Sequence, residues 1–126
     1  MGKFFASCSA HLSHMLAATR FSLAGFSAAF RHELAFRQIV FLSAIGIPLA
    51  ALLADTWAEA VLLMLPLFLS LMVELLNTAI EKTIDRISPE RHPLAKIAKD
   101  TGSAAQFTAQ IFIAVVWGGY VICKYL

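Results

Sequence analysis

The sequence predicts an all-α membrane protein with three transmembrane helices and an amphipathic helix ahead of them. The chain has 126 residues and is 60% hydrophobic, and its mean hydropathy of +0.76 is far above that of a soluble domain. It also contains three apolar stretches that approach the roughly 20 residues a helix needs to cross the hydrocarbon core. A compact soluble fold of this size could not bury so much apolar surface. We therefore interpret residues 1–126 as a single membrane domain.

The three predicted spans differ in the polar residues that they carry. The first is expected over 36–54, where Pro48 should bend the helix without preventing it from crossing the membrane. The second is expected over 60–81 and carries Glu74 at membrane depth. The third is expected over 101–123 and contains no charged residue. The second span is therefore the one in which a functional group is expected.

The segment 10–31 has the periodicity of an amphipathic helix. Its apolar side consists of Leu12, Met15, Leu16, Thr19, Leu23, Phe26 and Phe30, and its polar side of His11, His14, Ser22, Ser27 and Arg31. Such a helix can lie in the membrane interface, with its apolar side toward the lipid. Packing of the same side on the protein's own helices is an equally open alternative.

The basic residues predict the topology. The chain has 10 Lys and Arg, and all except Lys124 lie either up to the start of the first span or between the second and third spans. Because basic residues favour the cytoplasmic side, the amino terminus and the loop over 82–100 are expected to face the cytoplasm. The net charge is only +2, so nothing indicates a nucleic-acid partner. Cys8 and Cys123 lie far apart with no metal-ligand spacing and are interpreted as free thiols.

A polar ribbon follows one face of the second span. At about 100° per residue, Glu74, Asn77, Thr78, Glu81 and Asp85 lie close to one line, whereas the other faces are apolar. Polar residues can simply bridge helices by hydrogen bonds. Carboxylates at membrane depth are costly, however, and this ribbon is more typical of a functional site. Anionic oxygens at the cytoplasmic boundary suit Mg²⁺, which usually also bridges to substrate phosphates.

Two further groups are expected to contribute to this site. Glu33 lies between the amphipathic helix and the first span, at the same predicted depth as Glu81, although an ion pair with Arg37 is the alternative. Lys99 and Asp100 stand at the predicted start of the third span, where a lysine can bind phosphate. The alternative interpretation makes Lys99 an interfacial anchor and Asp100 a helix N-cap.

The face of the third span that begins with Lys99 is expected to turn inward, and it continues through Ser103, Gln106 and Gln110. No GxxxxGK[ST] loop, kinase glycine loop or HExxH motif is present in the sequence. The residues alone therefore indicate a membrane protein with an acidic, metal-binding site on its cytoplasmic side.

The octapeptide ELLNTAIE at residues 74–81 closely resembles the E-x-x-N-[ST]-A-x-E signature of the prokaryotic diacylglycerol kinase family. Two flanking blocks agree in order and distance, namely ELAFRQ at 33–38 and KDTGSAA at 99–105. The resemblance covers roughly residues 18–106. It implies a homotrimer of three-span subunits in the bacterial inner membrane. We expect active sites shared between neighbours, because three spans can hardly surround both substrates.

The resemblance also implies an activity and its residues. The γ-phosphoryl group of ATP would pass to the hydroxyl of diacylglycerol to give phosphatidate, with Glu74 as general base supported by Asn77. Mg²⁺ would be held by Glu33 and Glu81 together with the nucleotide. The implied nucleotide-binding residues are Glu33, Glu81, Asp85, Glu90, Arg91, His92, Lys99, Asp100 and His14. The implied lipid-binding residues are Glu74, Ser103, Ala35, Phe36, Arg37 and Gln38.

Two positions depart from the family pattern, and two other functions stay open. Ile39 stands where the best-known members often carry an acidic residue, and the basic position of the first helix is His14, with Arg20 as another candidate. Undecaprenol kinases share the signature and are the alternative within the family. A small oligomeric ion transporter or channel subunit is the alternative of another class, although a channel has no need for the lysine and loop residues at 90–100.

Overall fold

The structure is a computed structural model that describes residues 2–88, 90 and 92–126, with side chains from residue 13 onward. Its four helices are α1 (Gly2–His32), α2 (Leu34–Leu53), α3 (Trp57–Ile87) and α4 (Pro93–Tyr125). The helices α2, α3 and α4 are long and apolar enough to cross a membrane. The predicted all-helical class with three spans is thereby confirmed, whereas the trimer and the interfacial role of the first helix stay predictions.

The helix α1 belongs to a compact unit of its own, Met1–His32, and the other three helices form a second unit, Glu33–Leu126. In the first unit α1 is continuous from Gly2, so it begins well before the predicted segment 10–31. Most of its described side chains are exposed. Basic Arg31 stands in its last turn, where the helix dipole favours positive charge.

In the second unit α3 packs against both α2 and α4. Leu63, Leu67 and Ser70 on α3 are fully buried, and so is Phe36 on α2. A small residue allows the two helices to approach closely: a Cβ atom at Gly46 of α2 would come within 2.7 Å of Leu67 Cδ1. Since α3 is the helix that both neighbours contact, side chains on α3 hold the central positions of this unit.

The predicted loop over 82–100 is wrong, because most of it is helical. α3 continues into this segment and α4 begins at Pro93, which leaves 88–92 as the connection. The start of α4 has a local cause: His92 is its N-cap, and His92 Nδ1 accepts a hydrogen bond of 3.2 Å from the Leu94 amide. Proline suits the first turn since the missing N–H would have no partner there.

A polar cluster joins the carboxyl end of α4 to the connection between α2 and α3. Lys124 Nζ lies 2.8 Å from Asp55 Oδ2, donates to Tyr120 Oη at 2.9 Å and also donates to the Leu53 carbonyl. Tyr120 Oη lies 2.7 Å from the Leu53 carbonyl oxygen and 3.1 Å from Glu59 Oε2. We call these five residues the C-terminal cluster. It fastens all three spans together at the end opposite the 88–92 connection.

Candidate active site

The polar ribbon of α3 runs from the buried interior of the second unit to its surface. Glu74 is buried, with 4% of its surface exposed. Asn77, Thr78 and Glu81 are half-buried, and Asp85 is exposed. Hydrophobic packing thus surrounds the innermost carboxylate, while water reaches the outermost one. The predicted gradient of depth along one face of the second span is present.

Three carboxylates from two helices lie within electrostatic range of one another along this ribbon. Glu33 occupies the N-cap position of α2, where its extended backbone conformation turns the chain into the helix. Glu33 and Glu81 are both close enough to Glu74 for their charges to act on it. The structure therefore brings the three acidic residues that the sequence assigned to base and metal roles into one electrostatic group.

The ion-pair partner of Glu33 differs from the one that the sequence suggested. Lys82 Nζ on α3 lies 2.8 Å from Glu33 Oε1, an oxygen that is itself buried. Arg37 is joined to Glu33 only through the backbone, where its amide donates to the Glu33 carbonyl at 3.3 Å. The alternative of an ion pair between Glu33 and Arg37 is therefore wrong. The pair that forms instead connects the start of α2 to α3.

Asn77 links the ribbon to α4. Its Nδ2 donates to Glu81 Oε1 at 3.3 Å, and its Oδ1 is buried with no hydrogen-bond partner among the described residues. Gly102 of α4 lies against this amide, so a Cβ atom there would overlap Asn77 Oδ1. The glycine leaves room for the amide, and the amide holds the carboxylate of Glu81 in place.

A cavity of about 560 Å³ opens beside the connection between α3 and α4. Its lining includes five residues that the sequence assigned to the nucleotide, and these are Asp85, Glu90, His92, Lys99 and Asp100. The other lining residues are Ile84, Ser88, Pro93, Ala95 and Lys96. This volume lies within the range of small-molecule sites. The cavity groups the acidic and basic residues of α3, α4 and the 88–92 connection around one space.

The two lysines of the cavity are each paired with a carboxylate. Lys99 on α4 pairs with Asp85 on α3, and Lys96 pairs with Asp100 one turn further along α4. Because α4 begins at Pro93, Asp100 is inside the helix and the N-cap interpretation is wrong. For the same reason Lys99 does not stand at a helix start. Both lysines can nevertheless offer ammonium groups to phosphate oxygens if they exchange partners.

The remaining predicted residues are more scattered. His14 lies on α1 with an exposed side chain, and Arg91 lies outside the described residues. Among the residues expected to contact lipid, Phe36 is buried, which favours a packing role. Ala35, Gln38 and Ser103 are exposed, and Arg37 is half-buried. Each of these assignments stays a prediction.

The α4 face that was expected to turn inward does so only in part. Gln106 is buried, and its Nε2 donates to Ser70 Oγ of α3 at 2.9 Å. Ser103 and Gln110, on the same predicted face, are exposed in the single chain. The buried portion of α4 is defined by Gly102, Gln106 and Ala109, one residue per turn.

Sequence reasoning missed several residues that shape this site. Gly102 carried a signal that could have been used, since a glycine inside a helix often marks a close approach. Lys82 carried none, because its partner Glu33 is far away in the sequence and no periodicity connects them. Ser70 resembles any small polar residue of a span until Gln106 is seen beside it.

The acidic residues of this site can offer a metal ion two carboxylate ligands, not a complete set of protein ligands. Within the described part of the chain, no three His, Cys, Asp or Glu residues are arranged to hold a metal ion. Mg²⁺ needs no such cage, since it commonly uses one or two carboxylates together with waters and substrate phosphates. Glu33 and Glu81 carry carboxylates of the kind that this coordination uses, and the Lys82 ammonium lies 2.8 Å from Glu33 Oε1.

Comparison with known proteins identifies the class to which this architecture belongs. Residues 20–121 match the family model described as prokaryotic diacylglycerol kinase. The diacylglycerol kinase of Pseudomonas aeruginosa is 57% identical over 106 residues, which are 84% of this chain and 86% of that protein. That of Haemophilus influenzae is 44% identical over 108 residues, covering 86% and 92% of the two chains. That of Escherichia coli K12 is 37% identical over 105 residues, covering 83% and 86%.

The relatives that this three-span chain resembles are thus bacterial proteins that carry the name diacylglycerol kinase. The chain belongs to the prokaryotic diacylglycerol kinase family. The family predicted from the octapeptide at 74–81 and its flanking blocks is confirmed.

Proposed function

We propose that the protein is a lipid kinase that transfers the γ-phosphoryl group of ATP to the hydroxyl of diacylglycerol, giving phosphatidate. Relatives that carry the name diacylglycerol kinase align over most of their length with this chain. The single observation that carries the proposal is the position of the buried carboxylate Glu74 on the helix whose outer end, at Asp85, lines the cavity. The lipid, which accepts the phosphoryl group, can approach the deep end of the ribbon from the bilayer. ATP, which donates that group, can approach the outer end from water.

The nucleotide is proposed to occupy the cavity beside the 88–92 connection. Lys99 supplies the phosphate contact, after its ammonium leaves Asp85 for the incoming anion. Glu90 and His92 lie at the mouth of α4, where they can contact the rest of the nucleotide, and Asp100 is the remaining predicted contact. Arg91 and His14 complete the predicted set, on the strength of the family resemblance alone.

Glu33 and Glu81 are proposed to hold Mg²⁺ together with the nucleotide phosphates. The hydrogen bond from Asn77 fixes the carboxylate of Glu81, and the N-cap position fixes Glu33 at the start of α2. When bound, Mg²⁺ would neutralise negative charge on the phosphoryl group during its transfer. Because phosphoryl transfer depends mainly on positioning and charge stabilisation, this small set of residues can suffice.

Glu74 is proposed as the general base. It lies seven residues before Glu81 on α3, so its backbone is about 10 Å deeper along the helix axis. A hydroxyl that arrives from the bilayer meets Glu74 first and gives its proton to this carboxylate. As the hydroxyl oxygen forms its bond to the γ-phosphorus, the bond from that phosphorus to the β,γ-bridging oxygen breaks and ADP leaves. Burial of Glu74 keeps water, a competing acceptor, away from the same position.

The lipid is proposed to approach the spans from the bilayer. Ala35, Gln38 and Ser103 are exposed and can contact its glycerol region, and half-buried Arg37 can reach the interface. Phe36 is the weakest member of this predicted set because it is buried in the chain itself.

The active assembly is proposed to be a homotrimer with shared sites in the bacterial inner membrane, with the amino terminus and the 88–92 connection in the cytoplasm. Only 11% of the apolar window of α4 is buried within one chain. Helices of neighbouring subunits can cover this face and supply the residues that one chain lacks around two substrates. The positive-inside distribution supports the orientation.

Undecaprenol kinase activity is the alternative within the family. The relatives align under the name diacylglycerol kinase, which favours diacylglycerol as the acceptor. The channel alternative has less support, since a pore has no use for a cavity lined by paired lysines and carboxylates at one end of the spans.

The test is a phosphotransfer assay in mixed micelles. Purified protein should transfer phosphate from ATP to diacylglycerol in the presence of Mg²⁺, and much more slowly to undecaprenol. We expect Glu74→Gln to lower the rate by at least about 100-fold because the amide cannot accept the proton. Glu59→Gln makes the same change at the opposite end of α3 and should retain activity. Full activity of Glu74→Gln would refute the base assignment, and faster transfer to undecaprenol would favour the alternative.

A further inference from the structure

The ion pair between Lys82 and Glu33 places an ammonium group directly on a proposed metal ligand. Lys82 Nζ lies 2.8 Å from Glu33 Oε1, and 61% of the Lys82 side chain is exposed, against 20% for Glu33. The carboxylate is therefore mostly shielded, while the cation that faces it remains open to water. A group in this position can leave without disturbing the packing of the helices.

Lys82 is surrounded by negative charge from several directions. Glu33 faces it from α2, and Glu81 and Asp85 on its own helix also attract it electrostatically. The ammonium group thus neutralises part of the same acidic group that is proposed to hold the metal.

We propose that Lys82 is a positioning residue that competes with the divalent cation for Glu33. This inference rests on the proposed function, in which Glu33 and Glu81 are the metal ligands. The Lys82 ammonium at Glu33 Oε1 repels a second cation at the same carboxylate, so metal binding there is favoured when the lysine withdraws. The ligand pair then binds metal weakly until nucleotide phosphates supply further oxygens. Lys82 therefore couples entry of the metal to entry of the nucleotide.

The opposite role for Lys82 makes a prediction of opposite sign. If the lysine merely holds Glu33 in the geometry that the metal needs, its removal should weaken metal binding. If it competes, removal should strengthen metal binding in the absence of nucleotide. The sign of the change therefore distinguishes the two roles without any measurement of catalysis.

The experiment measures binding of Mn²⁺, a substitute for Mg²⁺, to the full chain in micelles without nucleotide, from the paramagnetic resonance signal of free Mn²⁺. We expect Lys82→Met to bind Mn²⁺ about 30-fold more tightly, the effect of removing one unit charge about 4 Å from a divalent ion in a water-like dielectric. Lys82→Arg keeps the charge and should stay within about twofold of the wild type. Lys124→Met removes a lysine that is paired with Asp55 at the opposite end of the spans, and should also leave Mn²⁺ affinity unchanged.

Chemical restoration of the positive charge on a single variant protein controls for altered folding of the variants. In a chain with Cys8 and Cys123 changed to serine, Lys82→Cys can be modified with 2-aminoethyl methanethiosulfonate, which returns an ammonium group, or with the neutral methyl reagent. Only the aminoethyl product should return Mn²⁺ affinity toward the wild-type value. Equal affinities of the two products would overturn the proposal.

Glu33→Gln separates failure of this proposal from failure of the proposed function. Should Glu33→Gln leave Mn²⁺ binding unchanged, Glu33 is not a metal ligand and the assignment on which the inference rests is wrong. If Glu33→Gln weakens binding while Lys82→Met leaves it unchanged or weakens it, the metal site stands and competition by Lys82 is refuted. Weaker binding in Glu33→Gln together with tighter binding in Lys82→Met supports both.

Discussion

At the scale of single residues, a hydrogen bond to another helix distinguishes one buried polar group of α3 from its neighbour. Glu74 and Ser70 lie one turn apart on α3, and both are buried. Ser70 has a partner, since Gln106 Nε2 of α4 donates to its hydroxyl at 2.9 Å. The Gln106 Oε1 atom is buried with no partner among the described residues. The Ser70–Gln106 pair is thus a helix-to-helix hydrogen bond with one acceptor left over.

Removing one partner of this pair should cost more than removing both. We expect Ser70→Ala to lower the free energy of unfolding by about 1–2 kcal/mol, because the whole amide of Gln106 is then buried without a partner. The double variant Ser70→Ala/Gln106→Leu should regain most of that loss. Unfolding in mixed micelles with increasing denaturing detergent measures the difference.

The control for this pair of variants is on α4, the helix that carries Gln106. Thr108 donates only to the Ala104 carbonyl of its own helix and is exposed, so Thr108→Ala should change stability little. A double variant no more stable than Ser70→Ala would contradict the account.

Candidate site residues could be recognised in the sequence where their position carries a free-energy cost, as for a charged group at membrane depth. A carboxylate such as Glu74 stands out in an apolar span because no structural reason requires it. Lys82 could not be found in this way, since a lysine near a membrane boundary is ordinary and Glu33, its partner, is distant in sequence. The same holds for Ser70, whose meaning depends on a residue of another helix.

At the scale of helices, small residues decide where α3 and α4 approach. Gly102 lies against the Asn77 amide, whereas a Cβ atom at Gly118 or Gly119 would meet nothing within 4 Å. Contacts within the chain therefore require a glycine at the first of these positions on α4 and not at the other two. Gly102 faces the ribbon, so the close approach belongs to the site.

Gly102→Ala should damage activity more than assembly. The added methyl group must push Asn77 away, and Asn77 cannot move without losing its hydrogen bond to Glu81. We expect at least about a tenfold lower kcat/KM, equivalent to a misplaced catalytic group. Gly118→Ala adds the same methyl group where no other atom of the chain lies within 4 Å, and is the matched control. Equal activity of the two variants in the lipid assay would show that the contact does not matter.

Hydropathy predicted that the three spans exist but not where their helices end. The segments at 82–87 and 93–100 are polar, so they carry no membrane signal, yet both are helical. Hydropathy reports where the hydrocarbon stops, whereas a helix continues until its backbone hydrogen bonds find a cap. The signal for the second boundary was present in the His92–Pro93 pair, which begins α4.

At the scale of the whole second unit, the two ends are built differently. One end carries the cavity and the short 88–92 connection, and its ion pairs are mostly exposed. The other end carries the C-terminal cluster, in which Lys124 contacts Asp55, Tyr120 and the Leu53 carbonyl. Polar interactions fix the helices relative to one another at the end that is not proposed to bind substrate.

Loss of the C-terminal cluster should therefore affect stability and leave the chemistry intact. Lys124→Met is expected to unfold at a lower fraction of denaturing detergent, because one ammonium serves three acceptors there. Its activity under stabilising conditions should stay within about twofold of the wild type, as for other changes remote from a site. Lys124→Arg preserves the charge and should restore part of the stability. A large loss of kcat in a fully assembled Lys124→Met protein would refute this division between the ends.

The paired lysines of the cavity have a consequence for how the protein meets anions. Lys99 and Lys96 are each already neutralised, by Asp85 and Asp100, before any ligand arrives. An incoming phosphate should therefore have to compete with an internal carboxylate for the ammonium group of each lysine. A lone inorganic phosphate offers few other contacts to offset that exchange. A nucleotide also carries a sugar and a base, for which the proposed site has Glu90 and His92 in the cavity lining. Selectivity against the abundant small anions of a cell would then follow from charges that are satisfied in advance.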